Sequence, residues 1–518
     1  MSTRYLILYL LLLSLNLTTT ACSTVDQSGD ITIITNASII DGTAADRFDG
    51  DVLIRNGIIE KIGSIEVEHY ENATVIDAAG RVVAPGFIDL HSHGDPLETP
   101  DFENFLSMGV TSISLGQDGR SAVVEDVDSW MSSVDEVGTG PNILHFKGHG
   151  TLRQLSDSPQ EPDLPENNLN EMVELLRSSM EAGSFGMTTG LEYQFGRYTT
   201  MDELAALAEV VTEFDGVVMS HVRNEDDDQV EESIRELIEQ GEKSGAKVHV
   251  SHIKIVYGNE PSRADDVLQV MNEARERGAE VTADVYPYAA SFTGISIVFP
   301  DWATEGDYDQ IVADRREELA EYLRNRVNMR NGPEATLFGT APWAGMTLAD
   351  VAEELDKPFE DVLIDDIGPG GASAAYFVMN ENVMRRFLQD PLVMVSSDGS
   401  PTMRHPRGYG SFAKIIRKYV VEEELLTLEE AVYKMSGQSA ELLGLSDPEK
   451  VDTPRGLIKE GFAADLVIFD PEQVRDTADF ETPHQLAEGF DWVFVNGVAV
   501  IEDGERSESR PAGVIRRK

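Results

Sequence analysis

The chain has 518 residues, enough for one large barrel with additions or for two or three ordinary domains, which excludes a peptide, a small disulfide scaffold or a lone binding module. Hydrophobic residues make up 41% and charged residues 26%, the balance of a folded globular protein rather than of a coiled coil, a polytopic membrane protein or a disordered chain. With 41 Lys and Arg against 93 Asp and Glu, the formal net charge of −52 repels phosphate backbones and anionic headgroups, so nucleic acid is not an expected partner, and an anionic substrate would need a local island of Lys or Arg.

Arg4 precedes an apolar run from Leu6 to Leu17, too short to span a bilayer comfortably and of the length of a signal-peptide core, so residues 1–22 read as an export signal outside the fold. Cys22, the only cysteine, follows Thr19-Thr20-Ala21 in a segment that resembles a bacterial lipobox, which would put the mature protein on the periplasmic face of a membrane through a lipid on Cys22. An intrachain disulfide is impossible with one cysteine. From Ile31 to Val83 short β-type runs alternate with turn signals, and the style returns from Gly456 to Gly504, where Val495-Asn496-Gly497 reads as a hairpin turn. Residues 31–84 and 452–510 are therefore expected to pair into one small β-sandwich.

Between them, over 85–451, apolar strands alternate with amphipathic helices such as Met201 to Phe214 and Gln229 to Ser244, the signature of βα units around a parallel sheet. Eight strand-like runs end near His91, Gly116, Gly148, Gly190, His221, His252, Tyr286 and Asp398 and predict a (β/α)8 barrel of the TIM type. The interval 291–392 is too long for one helix and predicts an insertion over the barrel mouth.

Function in such a barrel collects at the C-terminal strand ends, and an unusual share of the ten histidines stands there. Alternation puts His91 and His93 on one face, where they can share a divalent ion; His221 and His252 end two more strands and Asp398 another. Imidazole with carboxylate suits Zn²⁺ or a similar hydrolytic ion, and an aspartate beside it can accept a proton from water and deliver it to a leaving amine. Lys254, two residues past His252, is expected on the same face, where it supplies positive charge. His149 could line the pocket or be structural, His145 reads more readily as structural, and His69, His249, His405 and His484 are not expected as ligands. The Gly368–Gly371 run is a turn-rich loop with no P-loop lysine after it.

The segments VVAPGFIDLHSHGD (82–95), GHGTLR (148–153), GMTTGLEY (186–193), SHVRNE (220–225), VSHIK (250–254), DVYPYAAS (284–291), SSDGSPTMRHPRGYGSF (396–412) and GLIKEGFAADLVIFD (456–470) together resemble the amidohydrolase superfamily, and within it the N-acyl-D-amino-acid deacylase (D-aminoacylase) group. The resemblance spans nearly the whole mature chain. It implies a barrel holding one or two Zn²⁺ ions, with His91 and His93 on one metal, His221 and His252 on the second, and Asp398 both a metal ligand and the catalytic acid/base. It further implies Lys254 as anchor for the substrate α-carboxylate, with Tyr288 and Ser291 beside it. The group's metal-binding Cys has no counterpart here: Asp118 stands in the matching loop, Gly116 to Gly119. Relatives bridge two metals with a Lys or Glu at the fourth strand, so Glu192 is the expected bridge and Asp118 its alternative. Arg223, Arg404 and Arg407 lie in motif loops, suited to a second carboxylate or to bracing the acidic ligands. The implied activity is hydrolysis of small-molecule N-acyl-D-amino acids; the alternatives are a dipeptidase or cyclic-amide hydrolase (isoaspartyl dipeptidase-like or dihydroorotase-like) and a non-catalytic metal-binding lipoprotein.

Overall fold

The computed structural model describes residues 30–162 and 164–518; the expected export signal and Cys22 lie outside them. Among the described residues no helix is long and apolar enough to cross a membrane.

Eight parallel strand positions form the predicted barrel: Phe87–Asp89, Val110–Leu115, Asn142–His145 continued by Lys147–Gly148, Gly186–Gly190, Val217–His221, Lys247–Val250, Val281–Val285 and Val393–Val395. The ring closes between the last and the first, where the Asp398 N–H donates to the His91 carbonyl at 2.8 Å and the His93 N–H to that of Gly399 at 2.7 Å. The bonds that close the barrel are thus made by candidate site residues.

The strands are apolar on both faces, as a sheet wrapped by helices requires. Val217, Met219 and Met394 pack with Ile88, Leu90, Leu144, Phe146 and Phe185 in one cluster, while Val218, Val248, Val250, Val393 and Val395 join the larger core shared with the helices. His221 follows Val217 and Met219 in the two-residue period and so takes the face they take.

A nine-stranded sheet draws on both ends of the chain, with Leu466–Phe469 antiparallel to Val82–Pro85 as the join. The extreme C-terminus leaves it: Val514–Ile515 pairs with the third barrel strand at Ile143 and Leu144. After the seventh strand, Ser291–Gly294, Thr336–Phe338 and Ser373–Tyr376 form a three-stranded antiparallel sheet, which carries the helix Tyr308–Met329 and an apolar core of its own.

Candidate metal and catalytic site

Four of the predicted ligands meet at the strand ends around a carboxylate. The Asp118 Oδ1 atom lies 3.3 Å from His91 Nε2 and 3.2 Å from His252 Nε2, and its Oδ2 lies 3.6 Å from His93 Nε2. His221 Nδ1 is 3.1 Å from His252 Nε2, and His93 Nε2 is 3.2 Å from Asp398 Oδ1. Ligand atoms about 2.0–2.1 Å from a tetrahedral ion stand roughly 3.3 Å apart, so these separations have the spacing of a coordination shell. Both ring nitrogens of His91 are buried without a hydrogen-bond partner among the described residues, which a core histidine avoids and a metal ligand explains. The donor set, imidazole nitrogen and carboxylate oxygen in two groups sharing Asp118, fits one or two ions of the zinc type.

The carboxylate between the two histidine pairs is Asp118, where Glu192 was the first expectation. Glu192 stands on the other side of His221, 3.0 Å from Nε2. With a proton on Nε2 facing Glu192, Nδ1 of His221 would be free as a ligand; Glu192 also stands with His221 and Glu225 in a third group of possible ligands. Asp118 reaches the centre because its turn is seated among glycines. A Cβ on Gly148 would come within 2.5 Å of the Gly119 carbonyl, and one on Gly190 within 2.3 Å of the Asp118 carbonyl oxygen. Burial opposes ionisation of Asp118, but His91 and His252 outweigh it and hold the carboxyl well below its usual range.

Three site residues adopt left-handed backbone: Asp118 (φ 54°), His252 (φ 37°) and Asp398 (φ 49°). Such conformations cost energy outside glycine and persist where the surroundings dictate them. For His252 the reason is direct. Its strand ends at Val250, and alternation would have carried its ring to the face of Val248 and Val250; the left-handed residue turns it toward His221 instead. The expected neighbour Lys254 is there, with Nζ 2.7 Å from His252 Nδ1, but a loop places it and not strand alternation.

Buried carboxylates brace this backbone from below. Asp284 accepts the His252 N–H at 2.9 Å, and Asp89 accepts those of Ser397 at 3.0 Å and His91 at 3.2 Å. Burial pushes Asp89 up to about 7. Asp398 is held by Arg407, whose Nη1 lies 2.8 Å from Oδ2; burial raises its pKa, but Arg407 and the neighbouring histidines outweigh that and keep it ionised.

A cavity of about 390 Å³ opens over the cluster, and Ser291, Lys254, Asp398 and Arg407 line it. Three predicted substrate residues do not reach its wall. Arg223 is bidentate on Glu236 and donates to the carbonyls of Arg197 and Thr199. His149 is fully buried, 2.7 Å from Glu203, which also takes Arg153. Tyr288 lies under the Lys414 ammonium, 3.7 Å from its ring centre. Each was placed by its motif, and motif spacing does not say which way a loop side chain turns. Of the remaining arginines, Arg404 donates to the Glu481 carbonyl, while Arg407 braces Asp398. Sequence reasoning missed Glu225, which is 2.6 Å from Lys254 and 3.3 Å from His252 Nδ1. Its signal was position: it ends the SHVRNE segment, four residues after His221.

Residues 74–501 match the amidohydrolase family. The chain is 32% identical to the N-acyl-D-glutamate deacylase of Alcaligenes xylosoxydans xylosoxydans, over 94% of this chain and 96% of that protein, and 30% identical to the N-acyl-D-aspartate deacylase of the same organism, over 93% and 94%. The crystal structure of N-acyl-D-glutamate deacylase from Bordetella bronchiseptica, complexed with zinc and a phosphonate inhibitor that mimics the tetrahedral intermediate, superposes with a TM-score of 0.81 at 31% identity, covering 94% of this chain and 99% of that one.

Proposed function

Since this chain belongs to the amidohydrolase family, we propose that it is an exported, zinc-dependent hydrolase that cleaves the amide bond of N-acyl-D-amino acids to a carboxylate and a free D-amino acid. The observation that carries the reading is the meeting of His91, His93, His221 and His252 around Asp118, with Asp398 and Lys254 on the wall of the same cavity.

Zinc held by these residues supplies Lewis acidity toward the amide carbonyl and lowers the pKa of water. The Asp398 carboxylate accepts a proton from the attacking water and hands it to the amide nitrogen, so that the amine leaves neutral. Arg407 on Oδ2 keeps Asp398 ionised between turnovers and leaves Oδ1 facing the histidines. Lys254 meets the α-carboxylate, with Ser291 as a hydroxyl donor nearby, and Glu225 holds the ammonium in place at 2.6 Å. The likeness to deacylases of N-acyl-D-glutamate and N-acyl-D-aspartate supports the substrate class and the D configuration. Export rests on residues 1–22 and anchoring on Cys22.

The test is chiral analysis of amino acids released from racemic N-acetyl amino acids by zinc-supplemented mature protein. Release of D products alone is expected; release of L products, or none with zinc bound, refutes the reading.

A further inference from the structure

Four cations line the cavity: Arg120, Lys254, Arg330 and Arg407. Lys254 is neutralised by Glu225 and Arg407 by Asp398, and Arg120 is exposed to water. Arg330 differs from all three. It is only 4% exposed, it forms no ion pair among the described residues, and its Nε is buried without a partner. Among the described residues its one side-chain hydrogen bond runs from Nη1 to the Tyr257 hydroxyl at 3.4 Å, and its Cζ stands 4.9 Å from the Tyr376 ring centre and 5.8 Å from that of Tyr257. Asp226, whose carboxylate feels the Arg330 charge, is already held by Arg326 at 2.8 Å.

A guanidinium is almost never buried unless paired, because desolvating it without a counter-charge is strongly unfavourable. The tyrosine faces offset part of that cost, as does the C-terminus of the helix Tyr308–Met329, which Arg330 caps. Neither uses the planar fork of donors, which matches a carboxylate. In a chain of net charge −52, an unneutralised buried arginine on the cavity wall needs a reason, and an anionic ligand group is the one its chemistry fits.

Resting on the deacylase reading, we propose that Arg330 anchors a second substrate carboxylate beyond the α-carboxylate, so that the preferred substrates are dianionic N-acyl amino acids. The second carboxylate belongs either to an acidic side chain or to a dicarboxylic acyl group. The two sources separate in one experiment on the zinc-loaded full-length mature protein: kcat/KM for N-acetyl-D-glutamate against N-acetyl-D-glutamine, and for N-succinyl-D-leucine against N-butyryl-D-leucine. In one pair the anionic member should lead by at least about 100-fold, since a site built for a charged partner discriminates strongly against the analogue lacking it. Arg330→Met should reduce that ratio to below about fivefold with the larger part of the change in KM, and Arg330→Lys should restore part of it. Wild-type ratios within threefold in both pairs overturn the inference without help from any variant, as does a ratio that Arg330→Met leaves unchanged. Turnover of none of the four refutes the deacylase reading instead. Calorimetric binding of the same four compounds then decides Arg330: tighter binding of a carboxylate-bearing member upholds it, and equal binding overturns it.

Discussion

Replacing Gly190 by alanine would put a Cβ 2.3 Å from the Asp118 carbonyl oxygen and 2.8 Å from Cδ2 of Tyr193. Non-bonded heavy atoms settle at about 3.5 Å, so the Asp118 turn must retreat by roughly 1 Å, because the strand carrying Gly190 is hydrogen-bonded on both sides. The carboxylate that lies among the four histidines moves with the turn. A misplacement of about 1 Å costs on the order of 100-fold in rate, so kcat/KM of Gly190→Ala should fall by about that factor, with zinc content reduced. Overpacking also destabilises by about 1–3 kcal/mol, and a control must remove that effect. Gly437→Ala serves, since its Cβ would stand 2.0 Å from the Gly42 carbonyl oxygen, and Gly437 does not line the cavity. The assay is kcat/KM on an N-acetyl-D-amino acid with metal analysis and thermal melts for both variants. Equal melting losses, with Gly190→Ala as active per folded molecule as Gly437→Ala, would refute the view that the glycine cradle fixes Asp118.

Asp118→Ala should lower zinc content at least tenfold, with Glu192→Gln the milder of the two if it orients His221 rather than bridging; metal analysis showing the reverse order would return the bridge to Glu192. Asp398→Asn should reduce turnover by at least about 100-fold through loss of its proton transfer, and near-normal initial rates would remove that role. Glu203→Gln strips the counter-charge from Arg153, fully buried beside it, and should destabilise by about 3–5 kcal/mol in denaturant titration although neither residue lines the cavity. Lys434 is buried against the carbonyls of Asp390 and Val393, and burial lowers its pKa to about 8. The unfolded chain then holds more protons between about pH 8 and 10.5, so the stability of wild type relative to Lys434→Met should rise across that window, and a flat difference would contradict the burial argument. Cell fractionation should find the Cys22→Ser variant in the soluble fraction and the parent in the membrane fraction.

The alternation of apolar runs with amphipathic helices was sufficient for the barrel, because a strand covered on both faces must be apolar throughout and its connections must be long enough for a crossover. The residue types at the strand ends were likewise sufficient to single out four histidines and Asp398 as a candidate metal-binding group, which the structure brings together with Asp118. Which carboxylate stands between the histidines was decided by tertiary structure alone. Glu192 and Asp118 are both acidic residues just past a barrel strand, and only the glycine contacts between three neighbouring strand ends lift the second into the centre. The same holds for Arg223, His149 and Arg330. Sequence names a residue, but the direction of its side chain depends on partners that the local pattern does not contain: Glu203 for His149, Glu236 in the following helix for Arg223, and two tyrosines flanking Arg330. Local pattern determines what a strand or helix must bury; the burial of a charge, and whether it finds a counter-charge, is a property of the assembled chain.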